Sequence, residues 1–216
     1  MTYAMYDSQL SPFAARCRMV IYAKGLDVAI KDMPGAIPPE EFVSLTPMHK
    51  VPTLTVGDAV IPESQVICEF LEREHPEPAL TSSDNLVQAQ IELACRICDL
   101  YVMGPLGQLF GQVNPQSRDD ARVEALVGDL KKGLSWLDHY LGDGSYAIGN
   151  NMTLADCTIV PVLFFVLQLG PMLGHDDLLG DSAKVSNYFK AMQSDEHAQR
   201  VIGEMGTALK KWQQSQ

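Results

Sequence analysis

The sequence predicts an α+β protein: a first half in which short strands and helices alternate, then a second half made of helices alone. Three observations predict it. Up to about residue 78, short apolar runs alternate with amphipathic stretches of helical period. A break rich in proline and serine follows, His75-Pro76-Glu77-Pro78 and then Thr81-Ser82-Ser83-Asp84-Asn85. Beyond it the apolar patterns have helical spacing and run too long for strands.

The elements follow in order. Thr2 to Tyr6 reads as a short strand. Ser11-Pro12 opens a helix to about Lys24, with proline at its first position and Gly25 as its stop. Val28 to Lys31 is a second strand, and Pro38 to Leu45 a short helix. Thr53 to Val56 and Ala59 to Ile61 flank Gly57-Asp58, a hairpin turn. Pro52 donates no ladder bond, so it belongs at an edge or a turn. Ser64 to Glu74 is a helix with Val66, Ile67, Phe70 and Leu71 as its buried stripe. The order β-α-β-α-β-β-α is that of a thioredoxin-like domain, drawn over residues 1–78. The second domain is drawn over 86–216. Its helices run from Leu86 to about Phe110 with a bend near Gly104-Pro105, Arg118 to Leu141, Thr153 to Leu169, Ser182 to Gln193, and Glu196 to about Gln213 with a break near Gly203. No internal repeat or low-complexity tract interrupts them.

Composition narrows the function classes. The 216 residues are 46% hydrophobic and 20% charged, an ordinary globular balance. Sixteen Lys and Arg against 27 Asp and Glu give a net charge of −11, which argues against nucleic acid as a partner. An anion site must therefore come from local cations and backbone dipoles, with Lys50 foremost and Arg16 and Arg18 near in sequence. No apolar run reaches the ~18 residues of a membrane span, and Thr158 to Leu169 reads as a buried helix. The first residues lack a secretory pattern, and five scattered cysteines fit a reducing compartment, so the expected location is the cytoplasm. Cys95-x-x-Cys98 falls inside a predicted helix without a second ligand pair; it and Cys17 and Cys68 read as buried thiols, and no metal is expected.

Binding chemistry concentrates at two places. The N–H groups at a helix start have no partner inside the helix and attract anions. Ser64 at such a start and Val51 beside a strand-leading proline can hold one small peptide-like ligand between them. Ser11 either caps the helix behind Pro12 or offers its hydroxyl to a ligand.

Four motifs carry a resemblance: Ser11-Pro12-Phe13-Ala14-Ala15-Arg16-Cys17-Arg18, Lys50-Val51-Pro52-Thr53-Leu54, Pro62-Glu63-Ser64, and Gly149-Asn150-Asn151-Met152-Thr153-Leu154-Ala155-Asp156. In this order and spacing they resemble those of cytosolic glutathione S-transferases of the serine type. The first motif is similar to the Ser-Pro-Phe of tau and the Cys-Pro-Phe of omega enzymes. The resemblance covers essentially the whole chain. It implies glutathione as co-substrate, with Ser11 donating a hydrogen bond that holds the thiol as thiolate. The free thiol has a pKa near ~8.5 and attacks poorly. It also implies a cis Pro52 presenting the Val51 backbone, Glu63 and Ser64 on the γ-glutamyl end, Lys50 on the glycyl carboxylate, and Phe13 against the ligand. His49 ranks below Lys50. Tyr3 and Tyr6 are rival donors read as packing residues. A lysine that tau enzymes carry further upstream is replaced near Ile37. The fourth motif implies a helix cap, Thr153 through its hydroxyl and Asp156 in reply.

The expected reaction is addition of the thiolate to an apolar electrophile, in a pocket drawn from Phe13, Tyr101, Met103, Phe110, Phe165 and Trp212. Serine at position 11 argues against omega-type thiol exchange. Two alternatives stand beside it: a zeta-type cis-trans isomerase of a small dicarboxylic acid, whose motif begins Ser-Ser-Cys, and a non-enzymatic regulatory or ligand-binding relative. The resemblance further implies a homodimer, with no membrane partner.

Overall fold

In the computed structural model, which describes residues 2–215, the sheet has the order β2-β1-β3-β4. Strand β1 (Tyr3–Asp7) runs parallel to β2 (Val28–Asp32) and antiparallel to β3 (Thr53–Val56), which pairs antiparallel with β4 (Ala59–Pro62). Met5 faces Leu54 across the β1–β3 ladder, and both are fully buried. Pro52 precedes β3, where its missing N–H costs the ladder nothing.

Helix α1 (Pro12–Ala23) is buried on most of its circumference. Its Ala14, Ala15, Cys17, Met19 and Val20 are shut from solvent. It packs on α3 (Ser64–Glu74) and α9 (Glu196–Gln214); the Cys17 and Cys68 sulfurs meet at 3.8 Å between α1 and α3. The short α2 (Pro39–Leu45) buries Phe42 against the Tyr6 ring, 5.5 Å between centroids.

The chain divides into two compact units, Met1–Leu80 with Glu196–Gln216, and Thr81–Asp195. This differs from the helical domain drawn through 216: the last helix packs with the first unit. The physical reason is its stripe Ala198, Val201, Met205 and Leu209, buried at helical spacing, with Glu204 on the same helix reaching Arg18 of α1. Gly203 does not break it.

The second unit holds α4 (Asn85–Ile97), α5 (Met103–Leu109), α6 (Asp120–Tyr140), α7 (Leu154–Met172) and α8 (Ala183–Met192). Asp84 caps α4 by accepting from Leu86 N and Val87 N at 2.9 and 3.0 Å. The expected bend lies upstream of Gly104-Pro105, in a π-helical turn over Cys98–Val102 closed by the Met103 N–H on the Cys98 carbonyl. Pro105 has no N–H for the Tyr101 carbonyl four residues back. That carbonyl instead lies against α6 at Gly133, where any Cβ would collide with it. Helix α7 is long and apolar enough to cross a membrane, unlike the shorter run expected, but 83% of its apolar window is buried inside the structure.

At the start of α7 Thr153 and Asp156 form the expected capping box, and the Asp156 carboxylate gathers further hydrogen bonds. It accepts from Thr153 N at 2.8 Å, Thr153 Oγ1 at 2.9 Å, Ala147 N at 2.8 Å and Tyr188 Oη at 3.0 Å. Burial pushes its pKa up, and these donors pull against that rise.

Candidate functional site

A groove of about 120 Å³ opens where β3, β4 and two helix starts converge. The Val51–Pro52 bond is cis. The groove is lined by Phe13, Lys50, Val51, Pro52, Glu63 and Ser64, together with Met48 and Pro62. All six residues assigned from the sequence to glutathione binding therefore fall on one concavity. Met48 and Pro62 are additions; each adjoins an assigned motif, and their proximity was the only available signal.

Local chemistry explains the shape. Thr53 Oγ1 donates to the Lys50 carbonyl at 2.9 Å and ties down the run before the strand. Glu63 precedes α3 with φ of 71°, a region that costs a residue with a Cβ of order 1 kcal/mol or more. Such outliers concentrate at ligand sites. Its side chain makes no cap bond, so the carboxylate stays outside the helix and solvent-exposed. Ser64, only 5% exposed, opens α3 at the groove. Beneath it the Cys17 thiol donates to the Ser64 carbonyl at 3.5 Å, and Arg16 donates to Gln65 Oε1 at 3.4 Å. Burial lifts the Cys17 thiol well above its usual range, so it stays protonated and inert. Lys50 is exposed and free to swing over the groove.

Ser11 is the N-cap of α1. Its Oγ accepts from Ala14 N at 3.2 Å, and its own N–H donates to the Ser8 carbonyl at 2.8 Å. Capping uses a lone pair; the hydroxyl proton remains available to an anion in front of the helix. The two readings of Ser11 are therefore compatible. Ser11 does not itself line the groove: it sits two residues before Phe13, which does. On its other side, Ser8, Gln9 and Leu10 form one wall of a larger cavity of about 620 Å³. The opposite wall is α9, with Glu204, Ala208, Lys211 and Trp212.

Beneath that cavity lies a charge network that the sequence reading missed. Arg18 is not a cation open to a ligand but fully buried. Its Nη1 lies 2.6 and 2.7 Å from the Asp7 carboxylate oxygens, and its Nε lies 2.9 Å from Glu204 Oε2. Tyr22 donates to Glu204 Oε1 at 2.8 Å. Burial raises the Asp7 pKa despite Arg18, and burial with the Glu204 contact pushes Tyr22 up to about 12. Arginine inside an otherwise apolar helix stripe was the available signal.

The expected electrophile residues divide. Trp212 lines the large cavity. In the second unit Met103 and Phe165 are buried, and Phe110 meets Phe165 edge-on at 5.0 Å. Tyr101 is exposed and stands edge-on to Trp136 at 4.8 Å. All five cysteines are buried thiols outside any disulfide, as expected for Cys17, Cys68, Cys95 and Cys98.

Two family models match the chain: "Glutathione S-transferase, N-terminal domain" over residues 5–79 and "Glutathione S-transferase, C-terminal domain" over residues 120–191. Glutathione S-transferase 1 of Dianthus caryophyllus is 32% identical over 164 residues, covering 73% of this chain and 74% of that protein. A maleylacetoacetate isomerase of Pseudomonas aeruginosa is 28% identical over 179 residues (78% and 84% covered). A stringent starvation protein A homolog of Coxiella burnetii is 27% identical over 166 residues (77% of each). Among solved structures, a glutathione S-transferase of Methylobacterium radiotolerans in complex with glutathione sulfonate superposes with a TM-score of 0.78 at 19% identity, over 94% of this chain and 95% of that one. Glutathione transferase Omega 3C of Trametes versicolor gives 0.78 at 20% identity, over 93% and 89%.

Proposed function

Because this chain belongs to the glutathione S-transferase family, whose members are transferases acting with glutathione, we propose that it is a serine-type enzyme in which Ser11 stabilises the glutathione thiolate for attack on an apolar electrophile. The observation that carries this is the groove that unites Lys50, Val51, Pro52, Glu63 and Ser64 two residues' distance along α1 from a capping hydroxyl with its proton to spare. The Val51 backbone pairs with the cysteinyl unit as an added strand would. Ser64 and the α3 dipole receive the γ-glutamyl carboxylate while Glu63 meets its ammonium. Lys50 takes the glycyl carboxylate, a local cation in a chain of net charge −11. The Ser11 hydroxyl and the positive end of α1 both favour the anionic sulfur.

The same reading makes the protein a cytoplasmic homodimer. Leu86, Leu93 and Leu100 repeat every seventh residue along α4 and the turn after it, and are 71%, 40% and 48% exposed; Val66 on α3 is 47% exposed. Such exposed apolar residues suit a buried interface. Light scattering should give about twice the 23.7 kDa chain mass; the monomer mass would remove this part.

The deciding assay pits conjugation of a nitrohalobenzene against cis-trans isomerisation of a small dicarboxylic acid, each with glutathione. Conjugation without isomerisation is the expected result. Isomerisation alone would favour the zeta-type reading, in line with the isomerase relatives. Failure of the protein to bind glutathione resin would favour a non-enzymatic role.

A further inference from the structure

We infer that Arg18 is a positioning residue for the Ser11 hydroxyl: its buried guanidinium grips the carbonyls of the turn that presents Ser11, and Glu204 of the last helix holds that guanidinium in place. The inference rests on the proposed role of Ser11 and adds what fixes that residue in front of α1.

The geometry comes from the chain's own connectivity. Arg18 follows Ser11 by seven residues, about two helical turns, so it lies on the side of α1 from which Ser11 enters the helix. The chain passes from β1 to α1 through Ser8, Gln9 and Leu10. The Ser11 N–H closes this turn on the Ser8 carbonyl at 2.8 Å. Arg18 reaches back under it: Nη2 donates to the Gln9 carbonyl at 3.0 Å, and Nη1 to the Ser8 carbonyl at 3.5 Å. The Ser8 carbonyl is therefore shared between the Ser11 N–H and the guanidinium. The far side of the guanidinium is anchored as well. Asp7 holds Nη1 at 2.6 and 2.7 Å, and is itself fixed to the sheet through its carbonyl, which accepts the Met33 N–H at 2.7 Å. Gln9 Nε2 donates to the same carboxylate at 3.4 Å.

The charges exclude a simpler role. Arg18 faces two carboxylates, Asp7 and Glu204, and Asp32 adds a third negative charge beside Asp7. Tyr22 and Arg200 engage the outer oxygen of Glu204 at 2.8 and 3.4 Å. No net positive field is left over for a sulfur at Ser11, so Arg18 acts through the turn. Direction matters there, because a hydrogen bond weakens steeply below ~120° and a catalytic group misplaced by about 1 Å can lose about 100-fold in rate. Only arginine serves: its planar fork satisfies carboxylates and carbonyls on several sides, whereas lysine is a point charge on a flexible stem.

The test titrates the thiol of bound glutathione by thiolate absorbance and follows conjugation of a nitrohalobenzene against pH. Arg18→Lys keeps the charge and loses the fork. Its bound thiol should titrate about one unit higher, towards the ~8.5 of a free thiol, with the KM for glutathione within about twofold. The fall in kcat should be several-fold near neutrality and shrink above pH ~9, where both complexes are ionised. In Ser11→Ala, adding Arg18→Lys should move the thiol no further, because the arginine acts only through that serine. If Arg18→Lys does not fold, Glu204→Gln decides; it keeps the volume, removes the charge at Nε, and should shift the thiol the same way by less. An unshifted thiol, a loss of rate equal at every pH, or a further shift in the double variant would overturn the inference alone. A native complex whose thiol is not depressed would overturn the proposed function with it.

Discussion

At the start of α1 a serine oxygen accepts one backbone N–H at 3.2 Å, is partly open to solvent, and keeps its proton to give away. At the start of α7 a buried carboxylate accepts four hydrogen bonds between 2.8 and 3.0 Å and has nothing left over. Both are N-terminal caps and both answer orphaned or approaching N–H groups. The difference lies in saturation. A cap with spare bonding capacity beside a groove can serve a ligand, whereas a cap whose every valence is satisfied inside the protein can only serve the fold. Removing each should therefore damage different things.

The largest effect is expected at α1. Ser11→Ala should slow conjugation about 100- to 1000-fold, comparable to loss of one donor to a developing or stabilised anion, with the KM for glutathione little changed. Steady-state kinetics would show it, and a rate within a few-fold of native would mean the two caps do not differ in kind. Next is α7. Asp156→Ala strands four donors, and should lower stability by roughly 3 kcal/mol, or about 10 °C in Tm, with glutathione affinity retained. An unchanged melting curve would contradict it. Gly133→Ala follows, because a Cβ there meets the Tyr101 carbonyl that Pro105 displaces. Denaturant unfolding should show about 1–3 kcal/mol lost, and a neutral result would mean the π-helical turn adjusts freely.

The smallest effect is a pH dependence. Burial, then the Asp156 charge, raises the Tyr188 pKa well above 10. Below about 10 the phenol is protonated in both folded and unfolded chains. Above that the unfolded chain ionises first, so the stability Tyr188 contributes is lost as pH rises towards its folded pKa. Tyr188→Phe should lower the urea midpoint slightly near neutrality and flatten its fall above pH ~10. Tyr22, pushed up to about 12, still acts in that variant and keeps part of the slope.

Much of this was legible in the sequence where local rules govern. β3 and α3 fall at the residues expected, because Gly57-Asp58 fixes the hairpin and apolar residues follow Ser64 at helical spacing, but of the stripe expected to be buried only Ile67 and Leu71 are, and Val66 is 47% exposed because α3 turns Cys68 inward instead. The groove was legible because its residues come from three short motifs. The illegible parts are those set by distant partners. Nothing local to Glu196–Gln214 says it will pack on α1, and Arg18 shows its burial only once Asp7 and Glu204 are brought beside it. The bend was read at Gly104-Pro105, yet proline acts on the carbonyl four residues back, so the irregular turn lies at Cys98–Val102. Tyr101, Met103, Phe110 and Phe165 were chosen by residue type, which does not distinguish a core ring from a ligand wall; Met103 and Phe165 are core.

The contrast between the two caps is tested most directly by titrating the thiol of bound glutathione through its thiolate absorbance, in native protein and in Ser11→Ala. The native complex should ionise well below the ~8.5 of a free thiol, and the variant should return towards it. The same depressed value in both, or no depression in the native complex, would contradict the assignment of the Ser11 proton to the sulfur.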